Sequence, residues 1–300
     1  MVSRVVIVNA DDFGMNRSAN YGIVECHLAG AVSSTTMVAN GDAFDEAVKL
    51  AAAHPSLAVG LHFNLTWGKP VAPASSVRAL LDSRGNFLDR RTLMLRSMFH
   101  RSLSQEIRTE LRAQYSRIRD AGISPTHVDS HQHVHGSPVI FSVVAEFCLE
   151  NNLPVRVPWV RTEEFGSFSR RFRRFLLKKM VDHSVADWRG KLRWNDCIGS
   201  VFDLEHVAES LADDDYRSIL MSAPGRCMEL LVHPVLSAAE MTGYTRIGRI
   251  SEAEYRYLRL GTLPSVIADC GFKLVTFRDL MDQERFTSDS TADHSASTIC

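Results

Sequence analysis

The chain has 300 residues, 45% apolar and 23% charged, which is ordinary globular usage and long enough to bury a large core without disulfides or a structural metal. A formal net charge of −1 gives no general attraction to nucleic acid or to an anionic membrane, and no run of about 18 apolar residues reads as a transmembrane helix. Cys26, Cys148, Cys197, Cys227, Cys270 and Cys300 form no C-x-x-C pair, which excludes a zinc ribbon or thioredoxin-like motif; with no secretory signal at the N-terminus, such scattered thiols point to a reducing cytoplasm.

The β-branched run at 5–8 reads as a strand buried on both faces. It leads into Asn9-Ala10-Asp11-Asp12-Phe13-Gly14. A helix is predicted over 17–29, capped by Asn16 and stopped by Gly30. Residues 32–37 read as a second strand, 43–53 as an Ala-rich helix, and 57–65 as a third strand carrying His62. Gly68, Pro70, Pro73 and Gly85 predict a long loop over 66–102, of the kind that shapes substrate sites. An amphipathic helix over 103–121 stops at Gly122. A strand at 127–129, a helix at 139–150, a strand at 155–157 and a basic helix at 168–181 follow. The strand at 229–232 ends in His233-Pro234. One helix is predicted over 252–268, then a last strand at 273–275 and a short helix to about Gln283. The Ser/Thr/Asp-rich end, 286–300, reads as a disordered tail beyond a single domain at 1–285.

This alternation predicts an α/β fold with parallel strands inside and helices outside. Asp11, His62, the segment from Asp129 to His135, and His233 all follow strands. In a parallel barrel such positions converge on one face, where active sites sit.

The residue types at those strand ends suggest metal chemistry. Asp11 and Asp12 would repel one another unless a cation divides their roles, one as ligand and one as base; the competing use is capping the next helix. His62 alone in an apolar run is more often a satisfied core residue, and Asn64 two residues on shares its strand face. The run from His127 to His135 holds four of the chain's twelve histidines, and neutral imidazole is a good ligand for zinc and similar ions. His131 and His135 are four apart, on one face if the segment is helical, and Asp129 is available to orient a ligand histidine. His233, before a proline, is placed for acid catalysis. Arg156 in a buried strand needs a carboxylate partner, which Asp11 or Asp129 could supply.

Four of these segments together resemble the YdjC family of carbohydrate deacetylases, which includes chitooligosaccharide deacetylases and a hopanoid-associated protein. They are Val8-Asn9-Ala10-Asp11-Asp12-Phe13-Gly14, Gly60-Leu61-His62-Phe63, Thr126 through His135, and Val232-His233-Pro234. The similarity runs from about Arg4 to Leu280. The resemblance implies a distorted (β/α) TIM-like barrel related to NodB-type polysaccharide deacetylases. It implies one divalent metal ion on Asp12, His62 and His131, with Asp11 as base, His233 as acid and Arg156 orienting Asp11. The NodB-type H-x-x-x-H spacing also fits His131 with His135; His131 is preferred, and His133 and His135 are expected to line the site beside Asn64 and Asp129. Magnesium or zinc is the expected ion, with manganese, cobalt and nickel admitted by the same donors.

The expected reaction is removal of acetyl from an N-acetylated sugar, oligomeric or lipid-linked. Two other functions compete. A metal-dependent sugar isomerase or epimerase would need a further acid/base, for which Glu163 or Glu164 is available, and a non-catalytic carbohydrate-binding protein would need none of this chemistry. Over 168–180, Phe168, Phe172, Phe175, Leu176 and Met180 make an apolar stripe opposite Arg170, Arg171, Arg173, Arg174 and Lys178. A barrel helix with a solvated basic face is the favoured reading, and peripheral contact with anionic lipid the sharper one. Barrel surfaces and dimer faces are alike in composition, so a homodimer stays open.

Overall fold

A buried, β-branched first strand fixes the architecture, because it must be covered on both faces and paired on both edges. In the computed structural model, residues 4–99, 103–160, 168–204 and 210–282 are described, without the side chains at 98, 99, 168–170, 281 and 282. Strands and helices alternate as β1 (Arg4–Phe13), α1 (Arg17–Leu28), β2 (Ser34–Met37), α2 (Phe44–Ala53), β3 (Ala58–Phe63), α3 (Arg90–Phe99), α4 (Leu103–Asp120), β4 (Val128–Ser130), α5 (Pro138–Glu150) and α6 (Phe168–Val185). The chain continues through β5 (Cys197–Gly199), α7 (Asp213–Met221), β6 (Cys227–Val232), α8 (Gly248–Leu258), α9 (Leu263–Asp269), β7 (Phe272–Val275) and α10 (Phe277–Asp282).

The sheet order is β4-β3-β2-β1-β6-β5, with β7 also beside β1. Every ladder is parallel. Alternate residues of β1 feed two cores: Val6, Val8 and Ala10 join the main one with Leu61, Val128 and Leu230, while Val5 and Ile7 pack with Cys227, Val275 and Phe277. The sheet curls into a distorted barrel, and the distortion has a local cause. Beyond β4 the predicted strand at 155–157 makes a single bridge, Val128 to Val155, rather than a ladder. Its far edge is joined by a side chain: Asn195 accepts from Val157 N at 2.7 Å and donates to Val157 O at 3.0 Å.

Helix ends follow local chemistry. Asn16 caps α1 by accepting from Ala19 N at 2.9 Å. The helix expected over 252–268 is two helices, because the chain turns at Gly261 (φ 71°) and restarts with Pro264 in the first turn of α9. The loop expected over 66–102 contains α3, and the unassigned stretch before β6 contains β5 and α7. No helix among the described residues is long and apolar enough to cross a membrane. Phe172, Phe175 and Leu176 of α6 are 54%, 47% and 51% exposed, so the apolar stripe is not simply the inner face of a barrel helix. Glu163, Glu164, the side chains of Phe168 and Arg170, and the tail at 286–300 lie outside the described residues.

Candidate active site

In a regular strand, adjacent side chains point to opposite faces, so Asp11 and Asp12 would be parted by the sheet. β1 avoids this with a break in register against β2 between Ala10 and Phe13, where Asp12 takes a left-handed backbone at φ 71°. Such a conformation costs about 1–3 kcal/mol at a non-glycine residue and persists only where its surroundings enforce it. The bulge re-aims the pair: Asp11 turns to a guanidinium and Asp12 to two imidazoles.

Asp11 is held bidentately by Arg156, Oδ2 from Nη1 at 2.8 Å and Oδ1 from Nη2 at 2.7 Å. Burial alone would raise its pKa, but Arg156, and then His62, keep the carboxyl well below the usual range. Asn9 adds a hydrogen bond to Oδ1 at 2.9 Å, and Asn9 is in turn tied to His127 at 3.1 Å. Arg156, fully buried, also meets Asp129 Oδ2 at 2.7 Å and Glu229 Oε1 through Nε at 2.8 Å. Both sequence-expected partners are therefore present, with a third carboxyl group. Burial pushes Glu229 up to about 7 despite its arginine.

Asp12 Oδ1 stands 3.2 Å from His62 Nε2 and 3.0 Å from His131 Nδ1. One donor atom from each residue lies within 4.8 Å of the others. His62 is oriented from behind, since Nδ1 donates to Asp129 Oδ1 at 2.7 Å. That leaves Nε2 facing Asp12, the arrangement metal-ligating histidines usually show. Burial opposes a charged imidazole, yet Asp129 and then Asp11 raise His62 well above its ordinary value. Burial likewise opposes ionised Asp12, and His131 followed by His62 overcomes it. A pocket that draws a proton this strongly suits a cation. The one-carboxylate, two-imidazole set fits a divalent metal in donor type and convergence. A second grouping, Asp11, His62 and Asp129, fits less well because its oxygens are already spent on Arg156.

The histidine cluster divides differently from its spacing. Gln132 and His133 are left-handed, at φ 55° and 54°, so 131–135 is not one helical face. His135 turns behind the site: Nε2 donates to Arg156 O at 2.8 Å, Nδ1 accepts from Ser130 Oγ, and the ring is fully buried. Both nitrogens are occupied, which corrects its expected place on the wall. Asn64 is likewise spent on the following loop, its amide reaching Trp67 O at 2.6 Å and Asn40 Oδ1 at 2.9 Å. His133 does line a cleft of about 640 Å³, with Arg90 and Arg91 of α3, Arg173 and Arg174 of α6, and Trp159. His133 Nδ1 has no hydrogen-bond partner. Burial, then Arg156, keeps its ring neutral.

His233 follows β6, as expected from sequence. Gly22 on α1 permits this path, since a Cβ there would stand 2.6 Å from Pro234 O. Burial lowers the His233 pKa, opposed by Asp11 and Asp12. Several participants escaped sequence reading. Thr36 Oγ1 donates to Asp129 at 2.9 Å and sits 3.1 Å from His62 Nδ1. Glu229 anchors Arg156, and Gly60 leaves room for the His127 ring, 2.5 Å from where a Cβ would be. A polar residue in an otherwise apolar strand was the available signal for Glu229; Thr36, in the polar strand Ser34-Thr35-Thr36-Met37, had none. Gly60 opened one of the resembling segments, but its role of making room for His127 was not legible.

Residues 5–269 match the family described as YdjC-like protein. A carbohydrate deacetylase of Brevibacillus brevis is 34% identical over 278 residues, 92% of this chain and 99% of the relative. A chitooligosaccharide deacetylase of Proteus mirabilis is 34% identical over 286 residues, 93% of this chain and 100% of the relative. A crystal structure from Enterococcus faecalis, named as a proposed cellobiose-phosphate cleavage protein, shares the fold with a TM-score of 0.72 at 24% identity, covering 93% of this chain and 99% of that one. The chain belongs to the YdjC-like family.

Proposed function

We propose that this YdjC-like chain is a metal-dependent carbohydrate N-deacetylase, hydrolysing the acetamide of an N-acetylated sugar to acetate and a free amino sugar. The observation that carries the reading is the convergence of Asp12, His62 and His131 beside a separately anchored carboxylate, Asp11. The sugar substrate is taken from the relatives' names.

Asp12, His62 and His131 would hold one divalent ion, zinc or magnesium first, with manganese, cobalt and nickel also compatible. When bound, that ion supplies a polarised acetyl carbonyl and an acidified water. Asp11 accepts a proton from the attacking water; Arg156 keeps it ionised and fixes its plane. His233 gives a proton to the sugar nitrogen as the C–N bond breaks. His133, with a neutral ring in the wall of the cleft, would contact the bound sugar. The arginine-rich cleft beside His133 has the volume of a small-molecule site, and Trp159 offers a flat face to a sugar ring. These features favour an oligomeric or otherwise extended sugar.

Acetate release from a panel of N-acetylglucosamine oligomers and lipid-linked N-acetyl sugars tests the reading. Release from at least one is expected; none from any would sink it. Deuterium entering a sugar carbon from solvent, without acetate, would favour the isomerase. An Asp11→Asn variant with intact binding and intact cellular function would favour a non-catalytic binder. The exposed Phe172, Phe175 and Leu176 between basic residues of α6 also support peripheral contact with anionic lipid; co-sedimentation with vesicles that ignores anionic lipid content would remove that extension. Cys26, Cys148, Cys227 and Cys270 are in no disulfide among the described residues, which supports a reducing cytoplasm.

A further inference from the structure

His233 presents an unequal pair of ring nitrogens. Nδ1 is buried without a hydrogen-bond partner. The side chain is 17% exposed, so solvent reaches the ring at another edge. Facing Nδ1 is Glu254 of α8, itself fully buried. Its Oε2 accepts the His233 backbone N–H at 2.9 Å and lies 4.0 Å from Nδ1. Its Oε1 has no partner. Capping one amide requires one neutral oxygen. A buried carboxyl group is a costly way to provide it, and its Oε2 stands 4.0 Å from the unpartnered Nδ1 while Oε1 has no hydrogen bond.

We propose that Glu254 is the positioning residue behind the proton donor: it holds His233 through the backbone and passes a proton to Nδ1 as Nε2 gives one to the departing amine. This rests on the reading of His233 as the acid. The step balances within the chain's own groups. The N–H bond at Nε2 breaks and one forms at the sugar nitrogen, while the carboxyl O–H breaks and an N–H forms at Nδ1. The pair ends as a carboxylate beside a neutral ring and regains its proton from solvent. Closing from 4.0 Å to hydrogen-bond distance needs a shift of roughly 1 Å. Such looseness is common before substrate binds. The role matches the carboxylate that orients a catalytic histidine in hydrolase triads, with a proton added.

The surrounding charges permit this. Burial pushes Glu254 up to about 8, so the pair retains its proton near neutrality. Asp11 and Asp12 favour a protonated His233, whereas His62 and Arg156 oppose it. Tyr216 of α7 and Cys26 of α1 are close enough to feel the Glu254 charge, and burial keeps both neutral.

The test is Glu254→Gln in the full chain, which keeps the amide cap but cannot donate the carboxyl proton. The variant should stay folded, keep KM, and lose roughly 10–100-fold in kcat, the usual cost of removing an orienting partner. Nitrogen NMR of His233 should show its tautomer changing near pH 8 in the unmutated protein and not in the variant. Identical tautomer titrations in the two proteins would overturn the proposal. So would a Glu254 carboxyl that titrates in the ordinary carboxylate range in the unmutated protein, a measurement that needs no variant to fold. The NMR readouts stand without turnover, so a protein that releases no acetate would sink the deacetylase reading while leaving the pairing itself tested.

Discussion

The two sides of the site are built to opposite rules. On the β1 side, Asp11, Arg156, Asp129, His62 and Thr36 form a buried lattice in which each charge has partners at 2.7–3.1 Å. On the β6 side, His233 Nδ1 and Glu254 Oε1 have no hydrogen bond, and their closest approach through Oε2 is 4.0 Å. On the proposed mechanism, the difference separates fixing a charge from moving a proton. A base and a set of ligands gain from rigid geometry. A proton donor needs slack, because its partner must change between two protonation states.

Perturbing the tight side should have the largest effects. Asp12→Ala should abolish acetate release and reduce bound divalent metal, read by elemental analysis of the purified chain. Arg156→Met should destabilise by about 3–5 kcal/mol, because Asp11 and Asp129 are left buried without their cation; denaturant unfolding measures it, and a loss under 1 kcal/mol would mean that the lattice is not structural. Next comes the loose side. His233→Ala should lower kcat by about 10²–10⁴-fold with little change in Tm, unlike Arg156→Met, which should lose stability as well.

The paired histidines sharpen the contrast. His135→Ala should cost about 1–3 kcal/mol of stability, since it strands Ser130 and the Arg156 carbonyl. His133→Ala should leave stability within about 0.5 kcal/mol and raise KM. Equal stability losses would erase the distinction between a buried brace and a cleft wall.

The loose side also predicts a slope in stability against pH. Glu254 has an ordinary value of 4.5 and is raised to about 8 by burial. Its contribution is therefore fully present below 4.5 and lost as pH rises toward 8. Tm should fall across that window, and Glu254→Gln should flatten the fall.

The sequence was most legible where one residue type repeats on one kind of element. A continuous β-branched run marked the first buried strand, and the Asn16 cap and Gly30 stop framed α1 closely. The irregular stretches hid α3, β5 and α7, because glycines and prolines in the long loop masked a ten-residue helix, and a three-residue strand such as β5 has no period to read. At the site, residue identity was readable and direction was not. The spacing of His131 and His135 suggested one helical face, but left-handed Gln132 and His133 rotate His135 out of reach. Likewise, the bulge at Asp11-Asp12 is a backbone event that the side-chain pattern does not record. Long-range partners such as Glu229 and Glu254 acquire meaning only when β6 and α8 bring them to Arg156 and His233.

Metal titration of chelator-stripped protein, followed by acetate release at each point, tests the central claim most directly. The proposed ligands Asp12, His62 and His131 would hold one ion, so activity should be absent in the stripped chain and rise in proportion to occupancy until one divalent ion is bound per chain. Acetate release by the metal-free chain at the full rate would contradict it.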